Sequence, residues 1–364
     1  MSVPHDIGEL VTFTPNKFLP IHNWFYYKEG YAKQLVEWIV EEYKITGKIF
    51  DPFCGVGTTL LAAKELGLTS IGCDVSPLTS MVSRAKTRNY DTLALRAKLD
   101  EIRKERFPYN QITPRDKRLK KIISRQNYEE MVFLKKQILG IKDEKVQDFF
   151  YTALVDSFSR AAMVEKVGGS IRRVKKDYTS LRRFFEKKSE RMIIDLEKHM
   201  VNFKEPVVLQ EDARLFVPEE ESIDAVITSP PYLNKIEYTT VYKLELILFF
   251  NAQETRLRAF IGDEPQNYIE GELPAIAQAY FQDLEKVLHN SFIGLKKKGM
   301  MFIIVAGGCL PEEVIQSDEV IAEIGEKIGF KKIDIIPARE IFCHKHRSIK
   351  IGKVRESIVV LQKP

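Results

Sequence analysis

Two periodicities alternate along the chain. Tyr31, Leu35, Val36, Ile39, Val40 and Tyr43 recur at helical spacing, which predicts an amphipathic helix over 31–46. Lys48-Ile49-Phe50-Asp51 then reads as a short buried strand, followed by the tight loop Gly55-Val56-Gly57-Thr58-Thr59. Leu60 to Leu66 predicts a helix that Gly67 ends. Thr69-Ser70-Ile71-Gly72-Cys73-Asp74 is a second strand finishing on an acid. Ser76 is placed to cap the next helix, with Pro77 at its first position.

From about Asp91 to Glu205 the pattern becomes charged and helical, with few strand signals. Alternation resumes at Pro206-Val207-Val208-Leu209-Gln210, a strand ending near Glu211-Asp212, and at Ile223 to Ile227, a strand that stops at Ser229-Pro230-Pro231-Tyr232. Helices are expected over Val241–Phe250, Ile276–Leu295 and Glu319–Ile328, and strands over Met300–Val305, Lys331–Ile336 and Glu356–Leu361.

Such alternation implies an α/β fold: a Rossmann-like, doubly wound, mostly parallel sheet with helices on both faces. Ligands bind such sheets at the carboxyl ends of the strands. The residues with chemical potential fall there: Asp51, Asp74, Asp212 and Ser229. At 364 residues, the chain has room for two domains or for one domain with an insertion. We divide it into a discontinuous core, 1–90 and 206–364, and an inserted helical domain, 91–205.

Charge sharpens that division. The net charge is +5, yet 91–205 carries 28 Lys and Arg against 18 Asp and Glu, so the rest of the chain is mildly acidic. At the centre of the insert, Ser170 to Lys188 (SIRRVKKDYTSLRRFFEKK) interleaves basic and aromatic residues after the joint Gly168-Gly169. Arg172, Arg173, Lys175, Lys176, Arg182 and Arg183 are candidate nucleic-acid contacts; a solvated helix face is the alternative. No apolar run reaches the ~20 residues of a membrane span, and the N-terminus lacks a secretory pattern, so a cytoplasmic, membrane-free protein is expected. Cys54, Cys73, Cys309 and Cys343 form no metal-binding spacing, so no metal is expected and the thiols are expected to be reduced.

Asp51 to Thr59 (DPFCGVGTT) is a strand, a glycine loop and a helix start. Glycines admit a close ligand, and a helix N-terminus favours an anion. The dinucleotide fingerprint fails because Leu60 stands where its third glycine would be, and no Lys follows the loop as a P-loop requires. A nucleoside ligand with one carboxylate still suits the loop, and Asp74 is placed to accept its ribose hydroxyls.

DPFCGVGTT, Asp74 and the later TSPPY together resemble the amino-group DNA methyltransferases, which use S-adenosylmethionine; Pro20-Ile21-His22-Asn23-Trp24-Phe25 resembles their short N-terminal motif. The resemblance spans roughly 1–90 and 206–364 and implies a fold of the class I methyltransferase type. It implies cofactor contacts at His22, Trp24, Asp51, Phe53, Cys54, Gly55, Gly57, Thr58, Thr59, Asp74, Val75, Ser76, Asp212 and Ala213. Within that set Thr58 and Thr59 lie near the cofactor carboxylate, Asp74 at the ribose and Asp212 at the adenine amine. It makes Ser229, Pro230, Pro231 and Tyr232 the catalytic loop, acting on a base flipped out of double-stranded DNA.

Carbon-5 cytosine methylation is excluded because no Pro-Cys pair exists to supply the nucleophile. Ser rather than Asp or Asn at 229 resembles the cytosine-N4 subgroup. Adenine N6, an RNA base, or a catalytically silent nucleic-acid-binding protein are the other readings. A cognate restriction endonuclease is a candidate partner. The insert is expected to recognise the target, and Tyr238, Tyr242, Glu245 and His344 to Arg347 either line the DNA cleft or serve the fold.

Overall fold

The structure, a computed structural model, describes residues 3–108, 112–114, 117, 119–167, 170–233, 241–251, 273–310, 314–345 and 349–364, with the backbone alone at 167, 170, 344, 345 and 349–351. Gly168, Gly169, Tyr238, His346 and Arg347 lie outside the described residues.

In chain order the strands are β1 (Lys48–Asp51), β2 (Thr69–Cys73), β3 (Val164–Val167), β4 (Ser170–Arg173), β5 (Val207–Leu209), β6 (Ile223–Thr228), β7 (Leu295–Ala306), β8 (Gly308–Cys309), β9 (Val314–Ile315), β10 (Lys331–Lys345) and β11 (Ile349–Gln362). Seven of them form one sheet in the order β10-β11-β7-β6-β1-β2-β5. The pairs β5/β2, β2/β1, β1/β6 and β6/β7 are parallel, while β11 runs antiparallel between β7 and β10. This is the mostly parallel, doubly wound sheet expected from the alternation. Its strand order turns back at β1/β6, so the loops after these two strands open into the crevice where such folds bind ligands.

Period-two alternation builds both faces of the sheet. Ile49, Ala225, Ile227, Phe302, Ile304, Ile358 and Val360 face helices Lys33–Glu42 and Thr58–Glu65. Phe50, Val226, Met301, Ile303, Val305, Val359 and Leu361 face helices Ala275–Gly294 and Ser317–Ile328. Gly67, at φ 72°, leads out of the Thr58–Glu65 helix, and Gly329, at φ 120°, caps Ser317–Ile328, both in a region where a side chain would be strained.

A third cluster holds the helices of the insert, Thr92–Lys104, Arg125–Leu139, Glu144–Ala161 and Leu181–His199. It is continuous with the rest of the chain. Phe149, Phe150, Leu154 and Phe185 of the insert share one core with Trp24, Phe25, Val56, Leu61, Met81, Val82 and Tyr242. The insert also contains the antiparallel hairpin β3–β4, in a stretch whose charge hid its strand character.

The cysteines depart from expectation. Cys54 and Cys73 are buried thiols, but Cys309 and Cys343 form a disulfide, their Cα atoms 5.6 Å apart. They lie 34 residues apart in sequence, and only the return of β10 past the β8–β9 turn brings them together.

Candidate active site

The loops after β1, β2 and β6 meet through a buried carboxylate. Asp51 ends β1 at 2 % exposure, with no cation bonded to it among the described residues. Its Oδ1 accepts from the Thr228 hydroxyl at 2.7 Å and the Phe53 amide at 3.1 Å, and its Oδ2 from the Tyr31 hydroxyl at 3.2 Å. Burial pushes its pKa up to about 6 against these stabilising bonds. Thr228 is the residue before Ser229, so Asp51 ties the end of β1 to the start of the Ser229–Tyr232 loop.

The glycine loop is cut to fit. Gly55 has φ 49° and Gly57 φ 79°, and a Cβ on Gly57 would stand 2.4 Å from Ser83 Oγ. The Tyr27 ring lies where a Cβ on Gly55 would approach to 3.3 Å. Asp74 follows β2 and braces the loop: one oxygen accepts from the Gly55 amide at 3.0 Å, the other from the Ser76 amide at 2.9 Å and the Thr79 hydroxyl at 2.7 Å. Burial raises its pKa. Three of roughly four acceptor positions of a carboxylate are thus filled, and one is left to take a ribose hydroxyl. This donor and acceptor set fits a nucleoside cofactor. Asp74, not Ser76, serves the start of helix Pro77–Thr87, because the Ser76 side chain makes no capping bond.

The structure moves several expected cofactor residues away from this loop. Trp24 is wholly buried in the helical core, where its Nε1 donates to Asp195 at 3.1 Å and its ring meets Phe149 edge-on. His22 is buried against Glu65 at 3.2 Å, its pKa lowered by burial. Thr59 points inward, its hydroxyl bonded to Tyr31. Cys54 is buried behind the loop, and Ala213 is buried in the core under β5. Both oxygens of Asp212 accept from Arg214, at 2.7 to 3.1 Å, and Arg214 also reaches Asp283 at 2.8 Å. Asp212 therefore presents a carboxylate already neutralised by its neighbour. Phe53 and Val75 are half-buried beside the loop, and Thr58 is buried at the helix start. Short, local motifs place backbone well; they say little about which way a side chain turns.

The loop expected to be catalytic leaves β6 with Ser229 half-buried, Pro230 buried and Tyr232 half-buried. The Ser229 hydroxyl lies 3.5 Å from that of Tyr232, which donates to Glu356 Oε1 at 2.7 Å. Glu356 is 2 % exposed and pairs through its other oxygen with Arg339. Glu356 escaped the reading of the sequence; its one signal is an acid opening the apolar run Ser357 to Leu361. Tyr27 and Glu29 were missed as well. Tyr27 stacks on Tyr242 at 5.3 Å, and the Tyr242 hydroxyl donates to Glu29 at 2.8 Å. Lys166 of β3 sits 3.9 Å from the centre of the Tyr242 ring and pairs with Glu245 at 2.7 Å. Tyr242 and Glu245 therefore join the insert to the glycine loop.

A family profile described as DNA methylase, of the N6/N4 type, matches residues 13–80, the segment that contains the glycine loop and Asp74. The type II methyltransferase M.BsoBI of Geobacillus stearothermophilus is 24 % identical over 98 % of this chain and 88 % of its own length. M.AvaI of Nostoc is 23 % identical over 98 % and 89 %. Over nearly its whole length the chain is similar to type II DNA methyltransferases, and over 13–80 to the N6/N4 DNA methylases. Its cofactor is S-adenosylmethionine, and its substrate is DNA. M.MjaII of Methanocaldococcus jannaschii reaches 30 % identity, over 36 % of this chain and 27 % of its own. Among solved structures, a SAM-dependent methyltransferase of Methanosarcina mazei covers 89 % of this chain and 96 % of its own at 10 % identity and a TM-score of 0.32, too loose to add to the sheet order.

The six candidate DNA contacts of this methyltransferase divide. Arg173, Lys175 and Arg183 are exposed, and Arg172 is exposed beside Glu165. Lys176 instead caps backbone, its Nζ donating to the carbonyls of Ala162 at 2.8 Å and Val164 at 2.9 Å. Arg182 binds Glu186 and the Arg103 carbonyl. These last two hold the insert together. No helix among the described residues is long and apolar enough to cross a membrane, and no group of three metal-ligating side chains occurs among them.

Proposed function

We propose that the enzyme methylates the exocyclic N4 amine of a cytosine flipped out of double-stranded DNA within a specific sequence. The observation that carries this reading is the Ser229-Pro230-Pro231-Tyr232 loop at the end of β6, beside the braced glycine loop, with serine where an acid or amide would suit adenine N6 better. Residues 1–90 and 206–364 act as the catalytic and cofactor-binding part, and 91–205 as the target-recognition region, with Arg172, Arg173, Lys175 and Arg183 against phosphate. The relatives are type II methyltransferases, which supports a role beside a cognate restriction endonuclease.

S-adenosylmethionine, when bound, supplies an electrophilic methyl group on a sulfonium. Gly55 and Gly57 let the chain approach it, and Asp74 accepts a ribose hydroxyl. The chain's task is to make a poor nucleophile attack, because the lone pair of a cytosine amine is delocalised into the ring. The Ser229 hydroxyl and the Pro230 carbonyl accept the two N–H bonds and favour a more tetrahedral nitrogen. Tyr232 stacks on the base and holds it in line. The new C–N bond forms as the C–S bond breaks, its electron pair remaining on sulfur, and one amine proton is released. Proline at 230 and 231, with the Glu356 bond to Tyr232, keeps these groups in position before the substrate arrives.

Methyl transfer from labelled S-adenosylmethionine to unmethylated duplex DNA, followed by nucleoside mass analysis, tests this. N4-methylcytosine is the expected product. N6-methyladenine would keep the family and overturn the argument from Ser229, and label in RNA alone would overturn the substrate.

A further inference from the structure

The disulfide Cys309–Cys343 closes beside the residue that follows the Ser229–Tyr232 loop. After β7 ends at Ala306, the chain runs on through Gly307 into β8, which pairs with β9 as Gly308↔Ile315 and Cys309↔Val314. The disulfide fastens this strap to β10. The strap lies against Leu233, which is 2 % exposed: a Cβ on Gly308 would stand 2.5 Å from the Leu233 Cδ2. A Cβ on Gly307 would stand 2.5 Å from the Ile315 carbonyl oxygen and 2.7 Å from Val354. The backbone thus threads a gap that admits no side chain, so a shift of the strap moves what Leu233 rests on.

The hairpin β10–β11 reaches the end of the loop by two routes. β11 supplies Glu356, which accepts from the Tyr232 hydroxyl at 2.7 Å. β10 supplies Cys343, which reaches Leu233 through the disulfide, Cys309 and Gly308. Hydrogen bonds also tie the strap to β11. The Gly307 amide donates to the Arg355 carbonyl at 3.0 Å, and the Gln316 amide group bonds the Lys353 carbonyl and the Arg355 N–H, each at 3.2 Å. The disulfide adds the covalent tie to β10. Its two ends differ in access: Cys343 is buried and Cys309 half-buried. Burial pushes the Cys54 and Cys73 thiols up, so neither competes in thiol exchange.

We propose that Cys309–Cys343 is a redox clasp on the catalytic loop: closed, it fixes Leu233 and with it Tyr232, and opened, it frees that end of the loop and slows methyl transfer. A thiolate of a small dithiol attacks the Cys309 sulfur, on the less buried residue. A mixed disulfide forms as the bond to Cys343 breaks, and the electron pair leaves on Cys343. The second thiol of the reductant then displaces Cys309. The reductant ends as a disulfide and the protein as two thiols, with two electrons and two protons transferred. The inference rests on the reading of Ser229–Tyr232 as catalytic and adds a control to that loop.

The test compares the oxidised full chain, the same protein reduced with dithiothreitol, and the variant Cys309→Ala/Cys343→Ala, which is permanently open. Alkylation in denaturant followed by mass measurement should count two thiols in the oxidised protein and four in the reduced one. In both open forms, hydrogen exchange at the Tyr232 and Leu233 amides should quicken and turnover on duplex DNA should fall about tenfold, the scale of a small misplacement of reacting groups. S-adenosylmethionine affinity, read by calorimetry, should be unchanged. Four thiols after treatment with an oxidant would overturn the clasp, as would exchange and turnover that ignore dithiothreitol. Cofactor affinity that falls in step with turnover would overturn it too, because the effect would then be general. Exchange that responds in a protein with no methyl transfer in any form would instead overturn the catalytic reading of the loop.

Discussion

Asp51 at the sheet edge and Asp156 in the insert are both buried acids, but their surroundings differ. Asp51 is met by two hydroxyls and an amide, all neutral. Asp156 lies between Arg160 at 3.0 Å and Lys188 at 3.1 Å, and Lys188 belongs to the basic run that drew attention as a DNA contact. In the insert, basic groups are matched within the fold: Arg182 pairs with Glu186, Lys188 with Asp156, and Lys176 holds the carbonyls of Ala162 and Val164, so they tie helices and hairpin together. At the end of β1 a carboxylate is desolvated without a counter-ion among the described residues, so its protonation answers to small changes around it. A run of like charge in a sequence can thus be partly scaffold, whereas an uncompensated buried acid marks a site.

Trp24 offers the largest test of this contrast. Trp24→Ala should destabilise the protein by about 3–5 kcal/mol through the cavity it leaves in the helical core, read as a fall in the denaturant midpoint. Trp24→Phe, which keeps most of the packing, should retain normal S-adenosylmethionine affinity. A selective loss of that affinity in Trp24→Phe would return Trp24 to the cofactor site.

Ser229→Ala should lower turnover about 10²-fold, the scale of losing one aligned polar contact to the reacting centre, with cofactor affinity little changed. Equal loss of both would sink the assigned role.

Asp51 makes a statement about pH. Its folded pKa of about 6 lies above the 3.8 of a free aspartate, so the protonated form favours the folded state. The stability this provides is complete below about pH 4 and is lost as pH rises through 6, by at most about 3 kcal/mol. In Asp51→Asn that loss between pH 4 and 6 should vanish from the unfolding free energy. An unchanged pH profile would mean that Asp51 is ionised throughout.

The smallest effects separate scaffold from contact within the basic run. Arg172→Gln/Arg173→Gln/Arg183→Gln should flatten the salt dependence of DNA binding by about 2 to 3 and leave stability within about 0.5 kcal/mol. Lys176→Gln/Arg182→Gln should do the reverse, losing about 1 kcal/mol or more of stability with little change in slope. If the two variants behave alike, the division drawn from their partners is wrong.

Much of the fold was legible before any coordinates. The runs read at 48–51, 69–74, 206–210, 223–227 and 300–305 became strands of one sheet; apart from the edge strand β5, whose Val207 is exposed, they are largely buried, and a short apolar run buried on both faces has few other ways to be built. Asp74 and the glycine loop lie together, as strand-end placement led one to expect, because backbone shape that glycine and strand ends set locally brings the Gly55 amide to Asp74. His22, Trp24, Thr59 and Asp212 were less legible, because each side chain's direction is decided by a partner far along the chain: Glu65, Asp195, Tyr31 and, across the helical face, Asp283 through Arg214.

By itself, then, the sequence determined the alternation of elements, the loops at the strand ends and the serine-proline-proline-tyrosine turn, all products of near-neighbour sterics and periodicity. Only the tertiary structure decided that Glu356 holds Tyr232, that Cys309 meets Cys343, that the insert shares its core with the N-terminal segment, and that Lys176, Arg182 and Lys188 of the basic run are engaged within the fold. Those pairings join residues tens to hundreds of positions apart, and their geometry exists only once the sheet has brought its ends together.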